Sequence, residues 1–210
     1  TKCFDTEVCL LGIETNALKA WTNVHLHIGT AQIMARLGLI DGNELEPGSK
    51  GFAQLIPHHP VSALYGDRFI LRNASADRII GGGRVIDPFA TTRGRRQRER
   101  AMRLAALDHP VTGKALRALL KVSLRGVDLS AFALARNLVT QDAEQIFRAV
   151  SMHRATTKYE DTAYAPDRWK SMIQTVLRTL EMASGAGPTE PGLNLASLRR
   201  MTGQGMSSGT

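Results

Sequence analysis

Two hydrophobic periods divide this chain. Up to Pro88, apolar and polar residues alternate over short runs, at Phe4–Ile13, Val24–Ile28, Ala31–Ile40, Gly51–Ile56, Arg68–Asn73 and Ile79–Ile86. A period of two marks half-buried β-strands, and Asp41-Gly42-Asn43 and Pro47-Gly48 supply the turn chemistry between them. Strands at such spacing predict a small antiparallel barrel or sandwich. In Val24-His25-Leu26-His27-Ile28 the same period sends both histidines to one side and Leu26 to the other.

Beyond Pro88 the period lengthens to that of a helix. Met102, Leu104, Ala105 and Leu107 can share one helix face, and a second helix is expected from Thr112 or Gly113 to Ser123 with Leu116, Leu119 and Leu120 as its stripe. Asp128 offers an N-cap for Leu129–Leu138. Thr140 offers another for a helix through Ala149, with Glu144 one place beyond the capping-box position. Thr156, Thr157, Tyr159, Thr162 and Tyr164 around Glu160-Asp161 predict a hairpin with a charged turn. Pro166 then opens a helix with Trp169, Ile173, Val176, Leu177 and Leu180 at helical spacing. Three helices, a ribbon and a following helix are the ingredients of a winged helix. The expected organisation is a barrel over 1–90, a basic linker over 91–100 and a winged helix over 101–186. A Gly/Pro linker, Gly185 to Gly192, then leads into Leu193–Met201, so that 187–210 reads as the truncated start of a second winged helix. The fold class is therefore mixed β and α.

Charge sharpens the division. Residues 1–90 carry 8 Lys and Arg against 9 Asp and Glu, so the formal net charge of +8 belongs to the remainder of the 210 residues. That excess favours polyanions, with anionic membranes and simple solubility as competing explanations. With 43% hydrophobic residues the chain can bury a core in each unit. Cys3 and Cys9 lack the spacing of a zinc knuckle or a disulfide framework, which fits a reduced, cytoplasmic setting. No apolar run approaches the roughly 18 residues of a membrane span, and no basic start followed by an apolar core suggests a signal peptide. Starting at Thr1, the chain reads as a piece of a longer protein.

Several residues could carry chemistry. Gly81 to Gly83 suggest a nucleotide loop only superficially, because the following Arg84-Val85-Ile86-Asp87-Pro88 reads as strand rather than helix; a bent, closely packed strand is expected. His25, His27, His58 and His59 have no cysteine or carboxylate at matching spacing, so no metal site is expected and the histidines are read as exposed or RNA-facing. Asp67 and Arg68 read as an ordinary ion pair or turn bond. The polar turn between Arg72 and Arg78 is flanked by two cations and is a candidate phosphate contact. Arg93, Arg95, Arg96, Arg98 and Arg100 are either a solvated linker or a second phosphate contact. The helix from Thr140 offers only Gln141, Gln145 and Arg148 as polar readers, which favours a spacer over sequence-specific DNA binding.

Particular phrases resemble the bacterial selenocysteine-specific elongation factors over roughly residues 4 to 202. In the first unit these are Val24-His-Leu-His-Ile-Gly-Thr-Ala31, Gly66-Asp-Arg-Phe-Ile-Leu-Arg72 and Ile80-Gly-Gly-Gly-Arg-Val-Ile-Asp-Pro88, similar to the family's third domain and to the last domain of elongation factor Tu. In the second they are Val127-Asp-Leu-Ser-Ala-Phe-Ala-Leu-Ala-Arg136 and Asp167-Arg-Trp-Lys170, similar to the family's first winged helix. The tail from Gly203 departs from the expected second winged helix.

The resemblance implies a middle fragment of a factor that delivers selenocysteinyl-tRNA to the ribosome. It implies tRNA contact through Asn23, His59, Arg72, Asn73, Ser75 and Arg78, while the basic run on its own offers Arg93, Arg95, Arg96 and Arg98 as RNA phosphate candidates. The family's GTPase domain, with its GTP and Mg, and the final winged helices that hold the selenocysteine-insertion hairpin of the messenger RNA have no counterpart among these residues. No catalytic residue and no cofactor are therefore expected in this segment, which has no GxxxxGK[ST] loop. A winged-helix transcription regulator with a β-rich sensor domain is the first rival reading, and a histidine-based metalloenzyme the second.

Overall fold

The computed structural model describes residues 1–92, 98–157, 160–184 and 196–198. Eight strands come first: β1 (Phe4–Leu10), β2 (Leu18–Lys19), β3 (Thr22–Ile28), β4 (Ala31–Leu39), β5 (Glu44–Leu45), β6 (Lys50–Pro57), β7 (Arg68–Arg72) and β8 (Ile79–Asp87). Six of them close a barrel in the order β1-β6-β4-β3-β7-β8, every neighbour antiparallel. The alternation of the sequence is what makes closure possible. Phe4, Val8, Val24, Leu26, Leu37, Leu39, Leu55, Leu71 and Val85 all point inward and fill one core. Closure leaves no unpaired edge strand.

β8 carries the three glycines between β1 and β7. A Cβ on Gly81 would lie 2.5 Å from the Cys9 carbonyl oxygen, one on Gly82 2.6 Å from that of Phe69, and one on Gly83 1.9 Å from that of Glu7. The neighbouring backbones occupy the space a side chain would need. The expected bent, tightly packed strand is what forms, with pairing shifts at Asp5/Thr6 and at Leu71/Arg72.

The second part comprises α1 (Arg98–Leu107), α2 (Thr112–Val122), β9 (Val127–Asp128), α3 (Leu129–Ala135), α4 (Thr140–Arg148), β10 (His153–Thr156), β11 (Asp161–Tyr164) and α5 (Pro166–Ser184). The three strands form a sheet in the order β10-β11-β9. Leu104, Leu116, Leu119, Leu129, Phe132 and Phe147 are central to this core, and it also takes in Ile40 and Ile86 of the barrel, with Phe52 and Tyr65 packed at its margin.

Polar contacts reinforce that junction. Arg100 of α1 donates to both carboxylate oxygens of Asp5, each at 2.7 Å. The Gln54 amide donates to Asp5 at 3.3 Å and to the Thr91 carbonyl at 3.0 Å. Arg84 of β8 pairs with Asp108 at the end of α1. The guanidinium of Arg136 lies 3.8 Å from the Tyr65 ring centroid and donates at 2.6 Å to the Leu107 carbonyl.

Some expectations need correction. β1 stops at Leu10 rather than running to Ile13, which is 84% exposed, because the Leu10 carbonyl instead accepts from Gly48 N–H as the chain turns. The two-residue ladder of β2 and β5 is too short to leave a periodic signal. α3 ends at Ala135, not Leu138, since Asn137 takes a left-handed φ of 51°. Asp128 caps α3, accepting from Ala131 N–H at 2.9 Å. Thr140 is not the N-cap of α4: Val139 holds that position, and no side chain caps the helix. α1 begins at Arg98 and so absorbs the end of the expected linker. Arg93, Arg95, Arg96, Tyr159 and Gly185–Gly192 lie outside the described residues, as does most of Leu193–Met201, of which 196–198 are helical.

Candidate nucleic-acid interface

The β7–β8 turn is organised by Asn73. Its Oδ1 accepts from the backbone N–H of Asp77 at 3.1 Å and of Arg78 at 3.4 Å, and its Nδ2 donates to Ser75 Oγ at 3.1 Å. A side chain that binds its own backbone a few residues on is a standard turn former. Ala76 completes the turn with a left-handed φ of 56°. Ser75 is exposed at the tip, while Asn73 itself is half-buried.

The two cations flanking this turn are not equivalent. Arg78 forms an ion pair with Glu14, so part of its charge is already met. Arg72 is half-buried, and its Nε is a buried donor with no hydrogen-bond partner among the described residues. Leaving such a group unsatisfied costs about 1–3 kcal/mol, more for a charged one.

Strand register ties the rest together. Arg72 of β7 stands opposite His25 of β3, which stands opposite Met34 of β4; the Met34 carbonyl accepts from His58 N–H at 2.9 Å beyond the end of β6. One row across the sheet thus links the Arg72 strand to the exposed His58-His59 pair. Asn23, exposed on β3, sits two places along and opposite Arg36. The guanidinium of Arg36 lies 4.9 Å from the centroid of the Trp21 ring. His27, Ile70, Arg72, Asp77, Arg78 and Ile79 line a shallow depression beside the turn. The fold therefore brings Asn23, His59, Arg72, Asn73, Ser75 and Arg78 onto adjoining strands and the turns between them.

Sequence reasoning did not single out Arg36 and Trp21. Arg36 could have been found, because it alternates outward with Met34 and Gln32 in a run already read as a strand.

The linker arginines fare differently. Arg98 is exposed and borders a shallow depression with Ile40, Asp41, Gly42, Asn43 and Ala101. Arg100 is not available to a phosphate, because its guanidinium is engaged by the Asp5 carboxylate and the Thr91 carbonyl. Desolvation pushes the pKa of Asp5 up to about 6, against the opposing pull of its bonds to Arg100.

Residues 5–92 match the family model described as "Selenocysteine-specific elongation factor, beta-barrel domain". The barrel belongs to that family. A selenocysteine-specific elongation factor from Desulfomicrobium baculatum is 39% identical over 85 residues, covering 40% of this chain and 13% of that protein. The factor of the same name from Escherichia coli (strain K12) is 28% identical over 186 residues, covering 88% of this chain and 28% of its own length. That from Haemophilus influenzae is 24% identical over 184 residues, again 28% of its length. The chain thus spans less than a third of the curated relatives it matches, and the similarity to the two longer matches continues from the selenocysteine-factor barrel into the helical part.

Proposed function

We propose that this chain is the tRNA-holding and spacing segment of a selenocysteine-specific translation elongation factor. The barrel takes the phosphate backbone of selenocysteinyl-tRNA along the edge formed by Asn23, His59, Arg72, Asn73, Ser75 and Arg78. The helical part is a winged helix that holds the barrel at a set separation from the messenger-binding end of the complete factor. The observation that carries this reading is half-buried Arg72, without an ion pair to any described residue, in the depression beside the Asn73 turn on the outer face of a barrel of that family.

Phosphate contacts position a nucleic acid without reading its bases, so this edge needs cations and small polar groups rather than a shaped pocket. The helical part suits a spacer because its core includes Ile40 and Ile86 of the barrel. Its α4 presents Gln141, Gln145 and Arg148 at the surface, while Glu144 is held by Arg154. That is a poor set for reading DNA.

GTP and Mg belong to the complete factor and do not fit this segment. Gly81 to Gly83 lie within a strand whose Cβ space is filled by neighbouring carbonyls, and no helix N-terminus follows them. We infer delivery to the ribosome in the cytoplasm for the whole factor, in keeping with two free cysteines in this segment.

The test is filter binding of selenocysteine tRNA at low salt. Arg72→Ala should weaken binding about tenfold, as loss of one charge-assisted bond of about 1.5 kcal/mol requires. Arg78→Ala should have a smaller effect, because Arg78 already spends charge on Glu14. Unchanged affinity in the Arg72 variant would remove the barrel edge from the binding surface.

A further inference from the structure

Helix α2 carries no acidic residue. Lys114, Arg117 and Lys121 follow one another at i, i+3 and i+7, which places all three on one face, and all three are exposed. Their opposite face is the stripe Ala115, Leu116, Leu119 and Leu120 in the core. Arg117 donates at 3.0 Å to the Ala149 carbonyl at the C-terminal end of α4. A Cβ added at Gly113 would meet Ile146 of α4 at 3.9 Å, so the two helices lie close there as well. None of the three cations is ion-paired with a described residue.

We propose that this ridge, Lys114, Arg117 and Lys121, is a second nucleic-acid contact, taking the phosphate backbone of an RNA duplex independently of sequence. The ridge lies on the helical part, apart from the barrel edge assigned above. The spacing suits the partner: Lys114 to Lys121 spans about 10 Å of helix, a length over which one strand of a duplex carries about three phosphates. Helix α2 has no amide or aromatic side chain to read bases. An acidic protein is a poorer occupant, because protein interfaces have an apolar core depleted of charge, whereas the residue between these cations is a half-buried Ala118.

The test uses the intact chain and fluorescence anisotropy with a 20-base-pair RNA duplex, titrated between 50 and 200 mM salt. Removing three phosphate contacts in Lys114→Ala/Arg117→Ala/Lys121→Ala should lower the log–log salt slope by about 3, so that over this range the parent loses about 40-fold more affinity than the variant. The Lys114→Ala/Lys121→Ala pair, which leaves the Arg117 bond to α4 in place, should give about two-thirds of that change. Arg72→Ala provides the contrast, its loss being additive with theirs. A DNA duplex of the same sequence should lose affinity in the same variants, since only the backbone is held. Salt slopes unchanged in both α2 variants would overturn the proposal. So would tighter binding of poly-glutamate than of duplex RNA, abolished by the same substitutions, which would make the ridge a site for acidic protein.

Discussion

Arg100, in the first helix, grips Asp5, in the first strand, with two hydrogen bonds of 2.7 Å across a separation of 95 residues. The Asp5 side chain is 2% exposed and that of Arg100 10%, so the pair is buried at the junction. Removing one partner of such a pair leaves the other charge uncompensated, at a cost of about 3–5 kcal/mol. Arg100→Ala should therefore lower unfolding stability in urea by that order. Asp5→Leu with Arg100→Met should recover most of the loss. Equal stability of the single variant and the parent would show that the pair contributes little.

The same pair sets a pH dependence. Burial lifts the Asp5 pKa to about 6 in the folded chain, against about 3.9 in an unfolded one. The folded state therefore binds the extra proton between these values. Its contribution to stability is fully present below about pH 4 and is lost as pH rises through about 6, a difference of roughly 3 kcal/mol. The stability of the parent relative to Asp5→Asn should increase from pH 7 to pH 4 in denaturant titrations. A difference that is flat, or that shrinks on acidification, contradicts the direction of the shift.

Glycine substitutions should separate sharply. Gly83→Ala would place its methyl 1.9 Å from the Glu7 carbonyl oxygen and 2.8 Å from Phe69 Cζ, which only movement of a barrel strand could relieve. We expect failure to fold, read as loss of the thermal transition. Gly29 has open space around it and a φ of +56°, so Gly29→Ala should cost only about 1–2 kcal/mol of backbone strain. Similar behaviour of the two variants would contradict the packing around β8.

Trypsin offers a test of the shared core. The run Arg93-Gly94-Arg95-Arg96 is rich in cleavage sites. Because Ile40 and Ile86 lie in the same cluster as Leu104, Leu116 and Phe132, the two halves of a chain cut there should stay together on size exclusion. Elution as two separate species would show that the cluster does not hold them.

The sequence was most readable where one periodic signal decided the outcome. Alternation from Val24 to Ile28 and from Ala31 to Ile40 announced β3 and β4, and in β3 both histidines lie on the side away from buried Leu26. Gly81 to Gly83 announced a strand with no room at its flanks, and Asp128 announced a helix start. The destination of Arg100 was not readable, because the run Arg93 to Arg100 is uniform and the distinction between a solvated arginine and a buried one rests on Asp5, far away in the chain. Thr140 had the right chemistry for a cap, but Val139 adopts the capping backbone conformation instead. At the candidate interface, the sequence marked Arg72 and Arg78 alike. Their difference lies in Glu14, which only the folded barrel brings to Arg78.

The joint between barrel and helices has a mechanical consequence. It is pinned at several separated points, by Arg100 on Asp5, Arg84 on Asp108 and Arg136 on Tyr65, so it resists twisting as well as pulling. Such a joint behaves as an angle bracket. α5 has 19 residues, about 28 Å of helix, and a tilt of about 10° at the bracket would swing its far end by roughly 5 Å. Whatever seats the barrel thus also aims α5, and an error of seating is magnified along the arm.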